Sequence, residues 1–484
     1  MKLSELLRDA LDLSWSADTD PLISSVVQDH RLISAGSLFV ARAGARFDGR
    51  SVLAEAAARG AVAAVAERSP LLQGAPLPVV IVADAEAATG PLAASLLGRP
   101  ADQLTVTGVT GTDGKTTTAF LLRHLLSGQS RTALLSTAGS HDGEGSVSFA
   151  GHFTTPEAPE VQGFLRAALD AGSSQVVLEA SSHALDRHRL SGVSFDLAVW
   201  TNLTPEHLDW HGTMDNYLRA KRSLVERAGT AVLNRDDPYF SSFAEAAGTV
   251  ISYGFDPAAD WRALGSQRSG FSQRLKLQAH GREFETELAL PGDYNVLNAL
   301  AALAAAEQLG VPLESAVSRL ADFAGVPGRM QSVQTSPFQV IVDFAHTGPA
   351  LQRALTAVRA VTDGRLILVI GAAGERDHGK RAPLAQAAAA GADLIVFTEE
   401  DSRSEDTAAI LEQLRTAALA AGAEEEQLVL EEDRSEAIRQ AVGLARPGDV
   451  VLLAGKGVER TLERADGTVP WDEEQVARSW LERP

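Results

Sequence analysis

The residues best suited to chemistry lie in one stretch, residues 104–126, which reads LTVTGVTGTDGKTTTAFLLRHLL. Alternating β-branched residues over Thr105–Val109 predict a strand, and the apolar residues after the turn Gly111–Gly114 recur at helical spacing. A strand, a glycine turn and a helix start form an anion cradle, because the backbone N–H groups of the turn and the helix N-terminus point to one spot. Lys115 adds a positive charge and Thr116 a hydroxyl suited to Mg²⁺. The stretch therefore predicts a site for the phosphates of a nucleotide.

An ordinary tight turn is the alternative. It would explain Gly111 and Gly114 but not the Lys-Thr-Thr sequence at the start of the helix. The general phosphate-loop pattern expects a glycine where Val109 stands, so the match is to a shorter GTxGKT form.

Length and composition restrict the class of protein. The chain has 484 residues, which predicts about three domains, and 45% hydrophobic with 22% charged residues indicates a globular protein. A net charge of −20 argues against a nucleic-acid partner, which requires a basic face. The absence of cysteine excludes disulfides, thiolate metal sites and a cysteine nucleophile.

The N-terminal sequence MKLSELLRDALDL predicts an amphipathic helix and lacks the apolar core of a signal peptide. No apolar run approaches the roughly 18 residues that a membrane span needs. We therefore expect a cytoplasmic protein that does not bind membranes.

The elements that must position these residues form an α/β fold of three domains: residues 1–97, 98–326 and 327–484. Apolar runs predict strands at 37–41, 61–66, 77–82, 175–178, 195–199, 231–234, 250–253, 340–344, 366–370, 394–398 and 450–453. Helical spacing predicts helices at 51–59, 85–97, 213–227 and 295–308. Residues 98–102 read as a linker, 273–290 as a hairpin around Gly281, and Pro327-Gly328 as a second boundary.

Polar residues directly after parallel strands are the best functional candidates, because ligands bind beyond the carboxyl ends of such strands. Glu179 follows the apolar run 176–178, and its carboxylate could hold the Mg²⁺ that accompanies ATP. The alternative is a surface glutamate at the start of a helix. After the next strand, the loop 202–211 contains His207, a plausible metal ligand or phosphate contact, although a loop histidine alone is usually neither.

Lys221 occupies the middle of an apolar helix stripe formed by Met214, Tyr217, Leu218 and their neighbours. Burying an ammonium group costs several kcal/mol unless the group is paired or altered. Either the lysine reaches the rim of the stripe with its charged end, or it is retained for chemistry, by pairing with phosphate or by carbamylation.

Three loops of the last domain follow strands of one predicted sheet: residues 371–381, 399–403 and 454–459. They mix cations with acids, which suits a zwitterion such as an amino acid better than a nucleotide. Each loop by itself would be unremarkable as a solvated surface.

Taken together, these motifs resemble the muramyl (Mur) ligases, ATP-dependent enzymes that build the peptide stem of the cell wall. The resemblance spans nearly the whole chain and is carried by TGTDGKTTT (110–118), EASSHAL (179–185), TNLTPEHLDWHG (201–212), the Lys221 helix, PGDYNVLNALAA (291–302), GRM (328–330) and DFAHTGPAL (343–351). ASSHALDRHRL and GERDHGKR resemble the MurE type, whose members add a diamino acid to UDP-MurNAc-L-Ala-D-Glu. The fold expected from the resemblance is an N-terminal UDP-binding domain, a central phosphate-loop domain and a C-terminal Rossmann-like domain.

The resemblance implies a role for each matching residue. For ATP these are Thr110, Gly111, Thr112, Asp113, Gly114, Lys115, Thr116, Thr117, Asn295, Asn298, Arg329 and Asp343. Mg²⁺ contacts are Thr116, Glu179 and His207, and the catalytic group is Lys115, Glu179, His207 and Lys221, with Lys221 carbamylated. Contacts to the UDP-sugar peptide are Ser24, His30, Thr154, Thr155, Ser181, Arg187 and Arg189, and contacts to the amino acid are Arg376, Asp401, Arg403, Gly455 and Glu459.

Two departures from the family pattern concern the substrates. His30 stands where a serine is usual before the uridine pocket, and Glu400-Asp401-Ser402-Arg403 replaces the DNPR of the diaminopimelate-adding enzymes. Asp401 adds a negative charge where the far end of the incoming side chain should lie. It would attract the plain amine of L-lysine or L-ornithine and repel the carboxylate of diaminopimelate. Arg403 keeps diaminopimelate possible.

The reaction implied is amide formation through an acyl phosphate, with ATP and Mg²⁺ as cofactors and small molecules as the partners of a monomer. Two alternatives remain: another ligase of the same superfamily, such as a folylpolyglutamate synthase, and a phosphate-loop switch that binds a nucleotide without making a bond.

Overall fold

The computed structural model describes residues 1–15, 19–44, 47–149, 154–269, 271–375 and 378–482. Its strands form one four-stranded, one eleven-stranded, one six-stranded and one two-stranded sheet, and helices connect most of the parallel strands. This confirms the predicted α/β class. The chain divides into two compact units: a first unit of residues 1–263, 277–283 and 297–319, and a second unit of residues 264–276, 284–296 and 320–484.

A parallel sheet in the order β1-β2-β3-β4 forms the N-terminal part of the first unit. Its elements are α1 (Leu3–Leu11), β1 (Ser25–Val27), β2 (Ser37–Val40), α2 (Leu53–Ala58), β3 (Ala61–Ala66), β4 (Val79–Ile81) and α3 (Ala85–Leu96). Every residue of β2 is buried, because helices cover both faces of the sheet. Asp84 caps α3 by accepting a hydrogen bond from the Ala87 N–H at 2.8 Å.

The central sheet has the strand order β15-β14-β13-β12-β11-β10-β5-β9-β6-β7-β8. Its strands are β5 (Thr105–Thr110), β6 (Thr132–Leu135), β7 (Ser140–His141), β8 (Ser146–Val147), β9 (Gln175–Glu179), β10 (Phe195–Trp200), β11 (Ala228–Asn234), β12 (Thr249–Gly254), β13 (Trp261–Ser269), β14 (Ser272–Ala279) and β15 (Arg282–Leu288). The helices are α4 (Lys115–Leu126), α5 (Ala158–Asp170), α6 (Ser182–Asp186), α7 (Leu208–His211), α8 (Met214–Arg227), α9 (Phe240–Ala244), α10 (Asp293–Gln308) and α11 (Leu313–Leu320).

Register explains why the functional candidates of this sheet converge. β5 lies between β9 and β10 and is parallel to both, with Val109 opposite Glu179 and Thr110 opposite Trp200. The turn that leaves β5 therefore emerges beside the ends of its two neighbours, as expected for ligand sites of open parallel sheets.

The C-terminal sheet belongs to the second unit and has the order β16-β17-β21-β18-β19-β20, with only β16 antiparallel. Its strands are β16 (Gln331–Gln334), β17 (Gln339–Val342), β18 (Leu366–Ile370), β19 (Leu394–Phe397), β20 (Leu428–Leu430) and β21 (Val450–Leu453), and β22 (Thr461–Arg464) and β23 (Gly467–Pro470) form a separate hairpin. The helices are α12 (Gly348–Arg359), α13 (Arg381–Gly391), α14 (Thr407–Ala420), α15 (Arg434–Leu444) and α16 (Glu473–Leu481).

Most predicted elements are present, with ends that differ by a few residues. The predicted strand 77–82 is shortened to Val79–Ile81 and the strand 340–344 ends at Val342. The predicted linker 98–102 overlaps a short 3₁₀ helix, Pro100–Gln103, whose first two residues are buried. Strands β1, β6, β7, β8, β13, β16, β20, β22 and β23 were not predicted. No helix in the described ranges is both long and apolar enough to cross a membrane.

Candidate active site

The phosphate-loop sequence forms the turn that leaves β5 and enters α4. Gly111 has φ +152°, and a Cβ there would lie 1.8 Å from the Thr201 hydroxyl oxygen. Gly114 has φ +84°, and a Cβ there would lie 2.3 Å from the Asn298 amide oxygen. Only glycine fits both positions, and the close approach lets the first N–H groups of α4 face the turn.

Lys115, the first residue of α4, extends its side chain back over the turn. Its Nζ donates to the carbonyl oxygens of Gly111 at 2.9 Å and Thr112 at 2.7 Å. The charge is thus held at the turn, where backbone N–H groups and the helix N-terminus already favour an anion. This is the geometry that the sequence predicted for a phosphate site.

Thr201 and Asn202, which directly follow β10, hold the loop from one side. The Asp113 N–H donates to Asn202 Oδ1 at 3.0 Å, Asn202 Nδ2 donates to the Asp113 carbonyl at 3.0 Å, and Thr201 Oγ1 donates to the same carbonyl at 2.6 Å. Neither residue was assigned a role from the sequence. Their position directly after a strand of the same sheet was the available signal.

Glu179 ends β9 and lies on the other side of the loop, with 1% of its surface exposed. Its Oε2 accepts a hydrogen bond from Thr116 Oγ1 at 3.0 Å, and its Oε1 accepts from the Thr137 N–H at 3.1 Å and from the Ser136 hydroxyl. The alternative of a surface glutamate is therefore wrong. Ser136 and Thr137, which follow β6, were not among the predicted site residues.

The Thr116 hydroxyl and the Glu179 carboxylate offer oxygen donors of the kind that Mg²⁺ prefers. Over residues 1–15, 19–44, 47–149, 154–269, 271–375 and 378–482, no three His, Asp or Glu side chains are grouped so that they alone could hold a metal ion. Mg²⁺ usually takes one or two protein carboxylates and completes its shell with phosphate oxygens and water. The residues present fit a magnesium–nucleotide complex rather than an all-protein metal cage.

Tyr217 connects His207 to the phosphate loop. The two rings have centroids 6.4 Å apart, and the Tyr217 hydroxyl lies 3.1 Å from Thr112 Oγ1. The His183 ring contacts His207 edge-on at 4.6 Å, and burial with the neighbouring histidines lowers the pKa of His183 to about 4. His183 is therefore neutral at physiological pH.

Lys221 lies within α8 with 1% of its surface exposed, so it does not reach the rim of the stripe. Its Nζ donates to the Gly111 carbonyl at 2.6 Å and lies 4.6 Å from the centre of the Tyr217 ring. Burial, reinforced by the charge of Lys115, holds the pKa of Lys221 well below its usual range. The side chain contacts the phosphate loop itself, as a lysine retained for chemistry would.

Four residues predicted to bind the UDP-sugar peptide lie together beside Glu179. Thr155 Oγ1 donates to the Glu179 carbonyl at 2.7 Å, and Ser181 Oγ lies 3.3 Å from the same hydroxyl. Arg189 donates to the Thr155 carbonyl at 3.0 Å, and Arg187 precedes it by two residues after α6. Thr154 adjoins this group in the sequence.

Ser24 and His30 flank β1 in the N-terminal sheet. Ser24 Oγ donates to the Ala35 carbonyl at 3.0 Å, and the His30 ring stacks on Phe47 at 5.2 Å. Their assignment to the uridine pocket stays a prediction.

The residues predicted to bind ATP divide between the two units. Asn298 belongs to the first unit and accepts a hydrogen bond from Thr118 of α4 at 3.3 Å, beside Gly114. Thr110 donates to the Ala180 carbonyl at 2.8 Å, and Thr117 is buried on α4.

The second unit holds Asn295, Arg329 and Asp343. Asp343 accepts hydrogen bonds from the N–H groups of Met330 and Ala345, both at 2.8 Å, and burial raises its pKa. The Arg329 guanidinium lies 4.2 Å from the centre of the Phe344 ring, and Asn295 donates to the Pro291 carbonyl at 2.8 Å.

The loops predicted to bind the amino acid meet beyond β19 and β21 in the second unit. Arg403 has φ +53° and donates to Glu463 Oε2 at 2.7 Å and to the Gly374 carbonyl at 2.6 Å. A Cβ on Gly455 would lie 3.1 Å from Glu400 Oε2. Arg376, predicted to belong to this group, lies outside the described residues.

Lys456, to which sequence analysis gave no role, changes the electrostatics expected here. Its buried Nζ lies 2.9 Å from Asp401 Oδ1 and 2.5 Å from Glu459 Oε2. Burial lowers its pKa, but Glu459 and Asp401 together outweigh burial and raise it. The charge that Asp401 adds is therefore largely balanced by Lys456, contrary to the assumption that it faces the substrate alone.

A cavity of about 370 Å³ adjoins this cluster and is more acidic than basic. It is lined by Glu399, Ser402, Arg403, Glu405, Thr407, Glu432, Asp433, Arg464, Ala465 and Asp466. Glu400, next to Glu399 in the chain, is buried, and burial raises its pKa to about 7. The acidic excess, rather than Asp401 alone, favours a cationic ligand group.

Family models match three segments of the chain, and relatives align with 99% of it. Residues 23–95 match the catalytic domain of the Mur ligase family, 109–306 the Mur ligase middle domain and 328–457 the Mur ligase, glutamate ligase domain. UDP-N-acetylmuramyl-tripeptide synthetases of Deinococcus radiodurans and Roseiflexus sp. are 48% identical over 491 residues and 41% identical over 503 residues, and each alignment covers 99% of both chains. A solved UDP-N-acetylmuramoyl-L-alanyl-D-glutamate–2,6-diaminopimelate ligase is 30% identical with a TM-score of 0.70, covering 100% of this chain and 99% of that one.

The chain therefore belongs to the Mur ligase family, as its motifs predicted. Within that family it is of the MurE, or tripeptide synthetase, type, an ATP-dependent ligase of peptidoglycan synthesis. The alternative of a nucleotide-binding switch without catalysis is thus wrong.

Proposed function

We propose that this ligase joins a diamino acid to the D-Glu residue of UDP-MurNAc-L-Ala-D-Glu through an acyl phosphate. The observation that carries the proposal is the loop Gly111–Lys115 with the Thr116–Glu179 hydrogen bond beside it. The turn after β5 carries the Lys115 cation, and the Thr116 and Glu179 oxygen donors lie at the start of α4 and the end of β9. Transfer of a phosphoryl group depends mainly on such positioning and charge stabilisation.

In the proposed reaction the γ-carboxylate of D-Glu attacks the γ-phosphorus of ATP, and the α-amine of the amino acid then displaces phosphate from the acyl phosphate. Lys115 and the N–H groups of the loop stabilise the charge that develops on the transferred phosphoryl group. Glu179 and Thr116, with His207, would hold Mg²⁺, which would neutralise charge on the phosphate oxygens. Thr201 and Asn202 keep the loop in position through their hydrogen bonds to Asp113.

Lys221 is proposed to carry a CO₂-derived carbamate on Nζ. A low pKa supplies the neutral amine that reacts with CO₂, and the side chain already contacts the loop at Gly111. The product would be an anion beside Lys115, at a position where an unmodified amine is costly to bury.

L-Lysine or L-ornithine is proposed as the amino acid. The cavity near Arg403 is lined by Glu399, Glu405, Glu432, Asp433 and Asp466, against two arginines. The acidic excess attracts the side-chain amine of lysine or ornithine. Diaminopimelate would bring a further carboxylate, which the same acids repel. The Arg403–Glu463 pair leaves this arginine partly neutralised rather than open to a second carboxylate.

The deciding experiment compares ligation rates for L-lysine, L-ornithine and meso-diaminopimelate at equal concentrations, with ATP, Mg²⁺ and UDP-MurNAc-L-Ala-D-Glu. We expect the two plain diamino acids to exceed diaminopimelate in kcat/KM by at least about 10-fold, which is 1.4 kcal/mol of discrimination. A clear preference for diaminopimelate would refute the charge argument while leaving the ligase assignment intact. Phosphate release without the nucleotide-sugar dipeptide would refute the acyl-phosphate route.

We further propose a cytoplasmic monomer with domains at 1–97, 98–326 and 327–484. The supply of ATP and the lack of cysteine support the location. The three segments that match separate Mur ligase domains support the boundaries. Light scattering during gel filtration tests the monomer, because a dimer would elute with twice the mass of 51.0 kDa.

A further inference from the structure

Arg42, which follows β2, joins two arginines that are predicted to contact substrate. Its Nη1 lies 2.5 Å from Glu86 Oε1 and 3.7 Å from Glu157 Oε2. Glu86 in turn lies 2.8 Å from Arg187 Nη2, and Glu157 lies 2.9 Å from Arg189 Nη2. The five side chains form one chain of alternating charges within the first unit, in the order Arg187, Glu86, Arg42, Glu157 and Arg189.

This network has one more positive than negative charge, and none of its members is on the open surface. The side chain of Arg42 is 24% exposed, and those of Glu86, Glu157 and Arg187 are 27%, 23% and 29% exposed. Arg189 is 8% exposed, and burial together with the nearby Arg187 and Arg42 outweighs Glu157 and lowers its pKa. A half-buried group with an excess of guanidinium attracts a carboxylate, which it can bind with two parallel hydrogen bonds.

The network reaches the reaction centre in two hydrogen-bonded steps. Arg189 donates to the Thr155 carbonyl at 3.0 Å, and Thr155 Oγ1 donates to the Glu179 carbonyl at 2.7 Å. Glu179 is bonded to Thr116 of the phosphate loop. The α-carboxylate of a glutamyl residue lies four carbon–carbon bonds from its γ-carboxylate, on the order of 5 Å when extended. A substrate whose γ-carboxylate reaches the loop thus brings its second carboxylate toward the arginines.

Arg187 is oriented from two sides. Its Nε donates to Glu86 Oε1 at 3.0 Å, and its guanidinium lies 5.5 Å from the centre of the Trp210 ring, whose Nε1 donates to Asp186 at 2.8 Å. Glu86 therefore holds both Arg42 and Arg187 through one oxygen. An incoming carboxylate can take over these donors without any new cation entering the site.

We propose that Arg42 is a further substrate-binding residue, which with Arg187 and Arg189 binds the non-reacting α-carboxylate of the D-Glu acceptor. Glu86 and Glu157 position the three guanidinium groups for this contact. The inference rests on the proposed function, because it takes UDP-MurNAc-L-Ala-D-Glu as the acceptor.

The test is a cycle of two variants and two substrates. The second substrate is UDP-MurNAc-L-Ala-D-isoglutamine, in which an amide replaces the α-carboxylate and the reacting γ-carboxylate is kept. We expect Arg42→Met to raise KM for the D-Glu substrate about 10-fold and to change KM for the amide analogue less than about twofold. Arg42→Lys, which keeps the charge, should recover part of the affinity for the D-Glu substrate only.

The controls separate binding from structure. Arg166→Met removes an arginine that forms an exposed pair with Asp170 on α5, and it should change neither KM. If Arg42 only joined elements of the first unit, Arg42→Met would raise KM for both substrates by the same factor, which would overturn the inference.

Arg187→Met distinguishes failure of this inference from failure of the proposed function. If Arg187→Met raises KM for the D-Glu substrate and Arg42→Met does not, the inference alone is wrong. If neither variant affects either substrate, the assignment of the acceptor site fails as well, and the inference falls with it.

Discussion

Replacing Lys221 by methionine should make the protein more stable and inactive. Methionine is unbranched, has nearly the same length and suits the apolar stripe of α8 in which Lys221 lies at 1% exposure. The Gly111 carbonyl, which accepts from Lys221 at 2.6 Å, still accepts from Lys115 at 2.9 Å in the variant. The substitution therefore removes a buried polar group without leaving its partner unsatisfied, and we expect a gain of about 1–3 kcal/mol in the free energy of unfolding near pH 7.

The pH dependence of this gain follows from the pKa of Lys221. Burial holds the folded-state pKa well below its usual range, whereas the unfolded chain binds the proton with a pKa of about 10.4. Between these two values the unfolded state carries the extra proton, so wild-type stability falls as the pH falls, by at most about 1.4 kcal/mol per pH unit. The methionine variant has no titrating group at this position and lacks this pH dependence. Its advantage should therefore widen as the pH is lowered from about 10 toward the folded-state pKa.

The assay is urea unfolding of both proteins in CO₂-free buffers across this pH range. Lys276→Met, at an exposed position on β14, is the matched control and should show no change in its difference from wild type. A constant difference between Lys221→Met and wild type at every pH would refute the reasoning from burial. A methionine variant less stable than wild type near pH 7 would refute it equally.

Bicarbonate adds an independent measurement of the same side chain. A ligand that binds only the folded state stabilises it by mass action, so bicarbonate should raise the stability of wild type and leave Lys221→Met unchanged. Intact-mass analysis of the native protein should show a CO₂ adduct that is absent from the variant. Activity should be lost in Lys221→Met even though the variant is better folded, which is the usual relation between strained functional groups and stability.

Three further substitutions test the phosphate loop, the proposed metal site and a buried ion pair of the second unit. Lys115→Ala should lower kcat/KM about 10³-fold in a phosphate-release assay, because it removes the cation at the loop, and an undiminished rate would contradict the phosphate-loop assignment. Glu179→Gln should raise the Mg²⁺ concentration for half-maximal rate at least about 10-fold, while an unchanged magnesium dependence would remove Glu179 from the metal site. Arg434→Met should destabilise the protein by about 3–5 kcal/mol in denaturant unfolding. It leaves the buried Glu473 carboxylate, whose Oε1 lies 2.6 Å from Arg434 Nη2, without its cation. The double variant with Glu473→Leu should recover most of that loss, and failure to recover would show that Arg434 acts through other contacts.

The phosphate loop could be predicted from sequence because its parts are neighbours in the chain. One short stretch contains a β-branched strand, two positions that only glycine can occupy, and Lys115 at the start of a helix. Glu179 could be predicted because polar residues after parallel strands face the ligand edge of a sheet. Lys221 was recognisable because an ionisable residue interrupted an otherwise apolar stripe.

Pairings across long separations could not be predicted. Lys456 reads as an ordinary loop lysine, and only the fold brings Asp401 to its Nζ. Arg42 and Arg187 share Glu86, although the three residues come from separate parts of the chain. Strands β22 and β23 are short and lack an apolar alternation, so no local pattern indicated them.

Two lysines of this protein lie in surroundings of opposite net charge. Lys115 donates to two carbonyl oxygens, which carry no formal charge, so its charge stays available for a phosphate. Lys456 lies between Asp401 and Glu459, two carboxylates, so its charge is more than balanced and the surrounding loops remain acidic. The first arrangement suits an anionic nucleotide and the second suits an ammonium group. The partners of each lysine, rather than the lysine itself, thus determine which reactant each site attracts.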